Sequence, residues 1–286
     1  MANTVNDRSK FFEEYKYTDE IPRLAVAGDG MDKNGKSHWS FMTTPDPIMV
    51  VTNDPGSETI LKKAYKKGRK IAGVMRLEYE TPDSKVVSKG DVDKEQQRLW
   101  NRAWTRYTEG MEELAGNRKD GIRTVIVDTH SAIYELAQLA KFGKLRGNKE
   151  NQNLWAEINS EMHKAFWDLY KNRPDLNIVL LHKLKKEYAA TSTGKDAWTN
   201  RYERQSNRDV GFWVDISLRF GWDKSQRCFY TEIQDGQPIR FNPGGGVTPE
   251  DNPLIGKRWS GADSTFWALA MDVFPHTMLT PEIWGQ

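Results

Sequence analysis

A single cysteine, Cys228, in 286 residues leaves no partner for an internal disulfide and no set of thiolates for a metal cage. No run of about 18 apolar residues occurs, so no membrane-spanning helix is expected. An excess of one charge is missing too. Lys and Arg total 42 against 40 Asp and Glu, a net charge of +2, which excludes an evenly basic nucleic-acid coat but leaves room for a local basic patch. The first twenty residues are polar and mixed in charge, without the apolar core of a signal peptide. With the lone cysteine, this makes a reducing, cytoplasmic setting the expectation. Internal repeats and low-complexity tracts are absent.

Apolar and aromatic side chains are plentiful. Hydrophobic residues make up 37%, with 11 Trp, 10 Tyr and 11 Phe, too many for a mainly disordered chain. A chain of this size buries roughly three quarters of its unfolded surface, so a large core is expected. Arg23 to Ala27 reads as a buried strand stopped by Gly28-Asp29-Gly30. Ile48 to Val51 is a second strand, closed by Asn53-Asp54-Pro55-Gly56, and Ser57 is placed to cap the following helix. Ile71 to Tyr79 reads as a third strand and Asp91 to Leu114 as a long helix with Gly116 at its C′ position. Thr124 to Val127 is a fourth strand ending at Asp128. Helices over 131–145 and 151–171 follow, then a fifth strand, Asn177 to Leu181, ending at His182. From Phe212 to Trp222 apolar residues alternate strictly, which predicts a strand turned by Asp223-Lys224-Ser225-Gln226 into a partner over Arg227 to Ile233. A Gly-rich loop at 243–246 and a short helix over 263–273 complete the chain. Strands alternating with helices and then a hairpin predict an α/β fold: a mostly parallel sheet flanked by helices, with antiparallel strands at one edge. Trp100, Trp104, Trp155 and Trp167 sit on apolar helix faces and read as core. Cys228 reads as a buried strand residue.

Gly30-Met31-Asp32-Lys33-Asn34-Gly35-Lys36-Ser37 matches G-x-x-x-x-G-K-[ST] between a strand and a helix start, the context a phosphate loop requires. Gly30 and Gly35 let the backbone curl so that successive amides point at phosphate oxygens. The helix start adds positive dipole there. Lys36 is the point charge for the β/γ-phosphates, Ser37 the hydroxyl for Mg2+, and His38 the next residue along the nucleotide. Asp128, at the tip of a buried strand, suits Mg2+ held through water. No guanine signature is present, since Asn117-Arg118-Lys119-Asp120 has the wrong spacing, so ATP is expected rather than GTP. Thr129, not Glu, follows Asp128, so a water-orienting carboxylate must come from elsewhere. Asp54 is the first candidate, with Glu78 and Glu80 next, although Asp54 reads equally as a turn residue. His182 at a strand tip either touches the γ-phosphate or is bonded locally.

The order of these features resembles the RecA-type recombination ATPases, especially short phage-encoded nucleotide-binding proteins linked to single-strand annealing. Gly30–Ser37, Asp54 after the second strand, Val125-Ile126-Val127-Asp128, and Leu180-Leu181-His182 leading into a charged segment carry the resemblance, over about residues 20–235. It implies a RecA-like ATPase domain over 21–240, with a polar arm over 1–20 and a tail with a short helix over 241–286. It also implies that Asp54 polarises the attacking water, that His182 senses the γ-phosphate, and that the segment 183–209 contacts single-stranded DNA. Copies of such a chain are expected to assemble into a ring or filament. The family acid is usually Glu and the family sensor often Gln, and this sequence has Asp and His.

The segment 183–209 carries seven Lys and Arg against four Asp and Glu, an excess of three. Lys183, Lys185, Lys186, Lys195, Arg201, Arg204 and Arg208 interleave with Tyr188, Trp198 and Tyr202, which pairs phosphate-tracking cations with base-stacking rings. A solvated charged loop is the plainer reading. Arg201, Arg204 or Arg208 also suit an arginine finger for a neighbouring subunit, and the basic stretch 141–149 is a second candidate for nucleic acid. Two rival functions stay open: a nucleoside or nucleotide kinase, with Arg69 and Arg76 in an acceptor pocket, and a nucleotide-responsive assembly protein with little turnover. Strand order separates the first rival. An inserted strand between the phosphate-loop strand and the Asp128 strand is expected of the RecA type, and direct adjacency of a kinase.

Overall fold

The computed structural model describes residues 23–79, 94–117, 121–143, 152–190, 196–205, 210–236, 253–274 and Trp284. The arm over 1–20, Glu80, Lys195, Arg208, Asp209 and the Gly-rich loop at 243–246 lie outside the described residues. The strands are β1 (Ala25–Gly30), β2 (Ile48–Thr52), β3 (Ile71–Arg76), β4 (Thr124–Asp128), β5 (Asn177–Ala190), β6 (Asp196–Arg204), β7 (Ile216–Asp223), β8 (Cys228–Gly236) and β9 (Arg258–Ser260). The helices are α1 (Lys36–Thr43), α2 (Pro55–Lys66), α3 (Lys94–Gly116), α4 (His130–Phe142), α5 (Gln152–Asn172), the short α6 (Val210–Trp213) and α7 (Phe266–Val273).

The main sheet runs β3-β2-β4-β5-β1-β7-β8-β9. The first six are mutually parallel, and β8 and β9 add antiparallel strands at one edge. This is the predicted α/β architecture. Its order also places β5 between β1 and β4, the arrangement expected of the RecA type rather than of a kinase.

Side chains alternate across the sheet because successive strand residues point to opposite faces. Ala25, Ala27, Val51, Val125, Val127, Ile178 and Leu180 pack with Trp100 and Met111 of α3, Leu136 of α4 and Met162 of α5. Leu24, Val26, Ile48, Val50, Ile126, Val179, Leu181 and Leu218 pack on the other face with Trp39 of α1, Leu61 of α2 and Leu269 of α7. Each such fully buried branched side chain contributes about 1.5–3 kcal/mol relative to exposure, so the centre of the sheet is a firm platform for whatever its strand ends carry.

Several expectations are corrected. β1 does not stop at Ala27 but runs through Gly30. Gly28 serves close approach within the strand, because a Cβ there would meet the Phe220 ring at 2.7 Å and Leu181 at 3.1 Å. β3 ends at Arg76, short of Tyr79. The alternating run from Phe212 opens as α6, and β7 begins only at Ile216. β9 follows no pattern that predicted a strand, and its three residues are held by pairing with Tyr230, Thr231 and Glu232 of β8. Trp167 is 47% exposed, and Cys228 is half-buried rather than core.

The largest correction concerns the fifth strand. β5 does not end at His182. It continues to Ala190 and pairs antiparallel with β6, so much of the expected charged loop is a β-hairpin arm. The charged run Lys185-Lys186-Glu187 masked the strand, because an arm outside the core has no apolar face to reveal its period.

Candidate functional site: a phosphate loop beside a buried carboxylate

The loop 30–37 links β1 to α1 at the C-terminal end of the parallel strands, where ligands of open α/β sheets collect. Gly35 caps α1 with φ of 82°, a left-handed conformation that glycine adopts without strain. At Gly30 a Cβ would lie 3.0 Å from Phe220 Cβ and 3.1 Å from its carbonyl oxygen, so a larger residue would push the loop off the sheet. Asn34 Nδ2 donates to the Phe220 carbonyl at 3.2 Å and pins the loop's crest. Lys36 is buried, and its Nζ donates to the carbonyls of Gly30 (2.7 Å) and Met31 (2.8 Å). Burial pushes its pKa down, while Asp32 and Asp128 pull it back up. Met31, Asp32 and Lys33 are exposed on the outer curve, and Ser37 and His38 open α1. Burial, then Lys63 and Lys67, lowers the His38 pKa.

Asp128 stands at the end of β4, fully buried. Its Oδ2 accepts from Ser57 Oγ at 2.6 Å. Ser57 Oγ in turn accepts from Thr52 Oγ1 at 3.2 Å, and Thr52 Oγ1 accepts the Asp54 amide at 3.0 Å. Asp128 Oδ1 has no hydrogen-bond partner among the described residues. Burial raises the Asp128 pKa, against which the Ser57 and Ser37 hydroxyls hold it down. An orphaned, buried carboxylate oxygen beside a hydroxyl fits a Mg2+ ion that is reached through its water ligands. Ser37 and Asp128 would hold that ion, and it would neutralise charge on the β- and γ-phosphates. Ser57 was read from sequence as a helix cap. Asp54 takes that role instead, its Oδ1 accepting the Gly56 amide at 2.8 Å, and Ser57 is freed to orient Asp128. No local signal distinguishes those uses, because Asp128 lies 71 residues away.

These groups share a pocket of about 720 Å3 whose lining includes Gly35, Lys36, Ser37, Asp54, Asp128 and Lys183. Its size suits a nucleotide-sized ligand. Asp54 caps α2 and lines this same pocket. Phe229 of β8 closes the other wall, 3.3 Å from a Cβ built on Gly35.

His182 is placed differently. It shares the parity of Ile178 and Leu180, so it points to the α4 face, away from α1 and the loop. There it is fully buried, its ring 4.9 Å from that of His130, with both ring nitrogens unpartnered among the described residues. Burial drives both histidines down, His130 to about 3 and His182 well below its ordinary value, so both are neutral near pH 7. The next residue, Lys183, turns to the loop. Arg204 is also corrected. It is neither a free DNA contact nor a free finger, for its Nε and Nη2 donate to Asp29 Oδ1 (2.7 Å) and Oδ2 (3.0 Å), with Ser217 Oγ at 3.1 Å. Burial raises Asp29, and Arg204 pulls it back. Arg69 bonds Asp46 at 3.0 Å and the Phe41 carbonyl at 3.2 Å, at the opposite end of β2 from the loop, and Arg76 bonds Glu58 at 2.6 Å.

On the β5–β6 arm, Lys186 pairs with Tyr202 and Tyr188 with Trp198 across the strands. Tyr188 (57%), Trp198 (42%) and Tyr202 (38%) are exposed. Lys186 Nζ sits 4.9 Å over the Trp198 ring, whose centroid is 6.2 Å from that of Tyr202. Lys185 bonds Glu203 at 3.2 Å, and Arg201 is exposed on β6. Among the described residues no helix is long and apolar enough to cross a membrane, and no group of three or more His, Cys, Asp or Glu could hold a metal by itself.

No known family model matches the sequence, and no curated protein matches it. Among solved structures the chain is similar to the crystal structure of the RadB recombinase, at 13% sequence identity and a TM-score of 0.44, over 84% of this chain and 87% of that chain.

Proposed function

We propose that the chain is a Mg2+-dependent ATP-binding protein and ATP hydrolase that acts on single-stranded DNA in recombination or replication, as a ring or filament of copies. The observation that carries this reading is the juxtaposition of the phosphate loop with the half-satisfied Asp128, across an inserted β5, at one end of a parallel sheet. Loop amides and Lys36 would bind the phosphates. Lys36 would exchange its two bonds to neutral carbonyls for bonds to phosphate oxygens, in which the acceptor as well as the donor is charged. Asp54, with Oδ1 on the helix cap, would orient water from the same pocket wall. The arm supports the DNA reading, since exposed aromatic rings beside lysines are what single-strand binding uses.

The experiment is equilibrium binding of Mg-ATP together with product analysis. Wild type should bind ATP and release phosphate to water. Lys36→Ala should lose at least about tenfold in affinity, as a buried charge-assisted contact predicts. Phosphate delivered to an added nucleoside would establish the kinase instead. Binding without turnover, with DNA present, would favour the assembly protein.

A further inference from the structure

We propose that Lys183 binds the terminal phosphate of the nucleotide, so that a second cation of the site comes from the same chain as Lys36. This rests on reading the pocket as a nucleotide phosphate site. The parity of β5 carries the argument. Val179 and Leu181 face α1, Leu181 lies opposite Asp128, and Lys183 is the next residue of that face. In the β1 register Lys183 lies opposite Gly30, the first residue of the phosphate loop. Its side chain lines the pocket with Lys36, Ser37 and Asp128.

The root of that side chain is fixed. The Lys183 amide donates to Ser131 Oγ at 2.9 Å, and its carbonyl accepts the Gln205 amide at 2.8 Å. Among the described residues Lys183 makes no ion pair, although its charge also reaches the half-buried Glu135 carboxyl and pulls that group's pKa down against burial. Its charge reaches the site, as one of the influences pushing Lys36 down. Two lysines converging on one pocket repel each other until an anion of high charge enters, so the arrangement favours a triphosphate over a diphosphate. Of the described arginines that could have served as fingers, Arg204 is held by Asp29 and Arg201 is exposed on β6.

The test is a titration of wild type, Lys183→Gln and Lys183→Arg with Mg-ADP and with a non-hydrolysable Mg-ATP analogue. Wild type should bind the analogue more tightly than ADP. Lys183→Gln should lose about tenfold or more in analogue affinity, the value of one charge-assisted contact, and should keep its ADP affinity within about twofold. Lys183→Arg should restore most of the preference, and retained ADP binding shows that each variant is folded. An equal loss for both ligands, or no loss for either, would overturn the proposal while leaving the nucleotide site standing. So would a Lys183→Gln defect confined to single-stranded DNA. Failure of wild type to bind either ligand would overturn the reading of the pocket and this inference with it.

Discussion

Asp215 shows how far one carboxylate can shape the chain's behaviour. It lies at the start of the sheet, away from the phosphate loop, where its Oδ2 accepts the Ala25 amide at 2.8 Å and its Oδ1 accepts Tyr170 OH at 3.2 Å. Burial raises its pKa to about 6, against the Ala25 bond and Arg23. A raised acid binds its proton more tightly in the folded than in the unfolded state, so folding is favoured at low pH and penalised as pH rises from about 4 through about 6. Asp215→Asn removes that penalty. Between pH 4.5 and 7 the variant should gain about 2 kcal/mol relative to wild type in urea unfolding, from about 1.4 kcal/mol per pKa unit. His130 has the opposite sign. Its folded value of about 3 means that the unfolded chain takes up the proton first, so its contribution is intact above about 6.5 and lost as pH falls toward 3. His130→Gln should therefore flatten the acid limb of the stability profile, and an unchanged limb would show that the ring is solvated.

At the scale of elements, what could be read from sequence depended on how local the chemistry was. The turn from β1 into α1 was legible because consecutive residues fix its backbone, and the strand ending at Asp128 because a β-branched run leads straight to it. Lys183, Ser57 and Arg204 were not. Lys183's face follows from strand parity, which vanishes if the strand is stopped at His182. Ser57 and Arg204 take their roles from Asp128 and Asp29, 71 and 175 residues away. The arm makes the difference measurable. Arg204→Ala strands a buried Asp29 and should cost on the order of 3 kcal/mol of stability. Trp198→Ala should leave stability within about 0.5 kcal/mol. It should instead weaken single-stranded DNA binding by roughly 5-fold to 150-fold, the worth of about 1–3 kcal/mol per stacked base. Lys186→Ala should lower the salt dependence of that binding by about one phosphate contact. A Trp198 variant with unchanged DNA affinity would return the arm to the status of a solvated hairpin.

The whole molecule joins these parts through one sheet. β1 carries the phosphate loop at its end and Asp29 one residue earlier, and Asp29 holds Arg204 at the base of the arm. β5 begins in the core beside β4, passes Lys183 at the pocket, and becomes the first strand of the arm. The two halves of the proposed activity therefore share covalent strands rather than a flexible linker. The later segments belong to the same body. β9 extends the sheet, and Phe266 and Leu269 of α7 pack on the α1 face with Trp39. The net charge of +2 for the whole chain leaves room for a local excess of cations, such as the excess of three over 183–209.

The measurement that bears most directly on this account is the rate of phosphate release from Mg-ATP, with and without single-stranded DNA, for wild type, Lys36→Ala and Trp198→Ala. Wild type should turn over ATP and accelerate when DNA is added, and Lys36→Ala should be inactive in both conditions. Trp198→Ala should keep the DNA-free rate and need more DNA to reach the stimulated one. Turnover that ignores DNA in wild type, or that survives loss of Lys36, would contradict it.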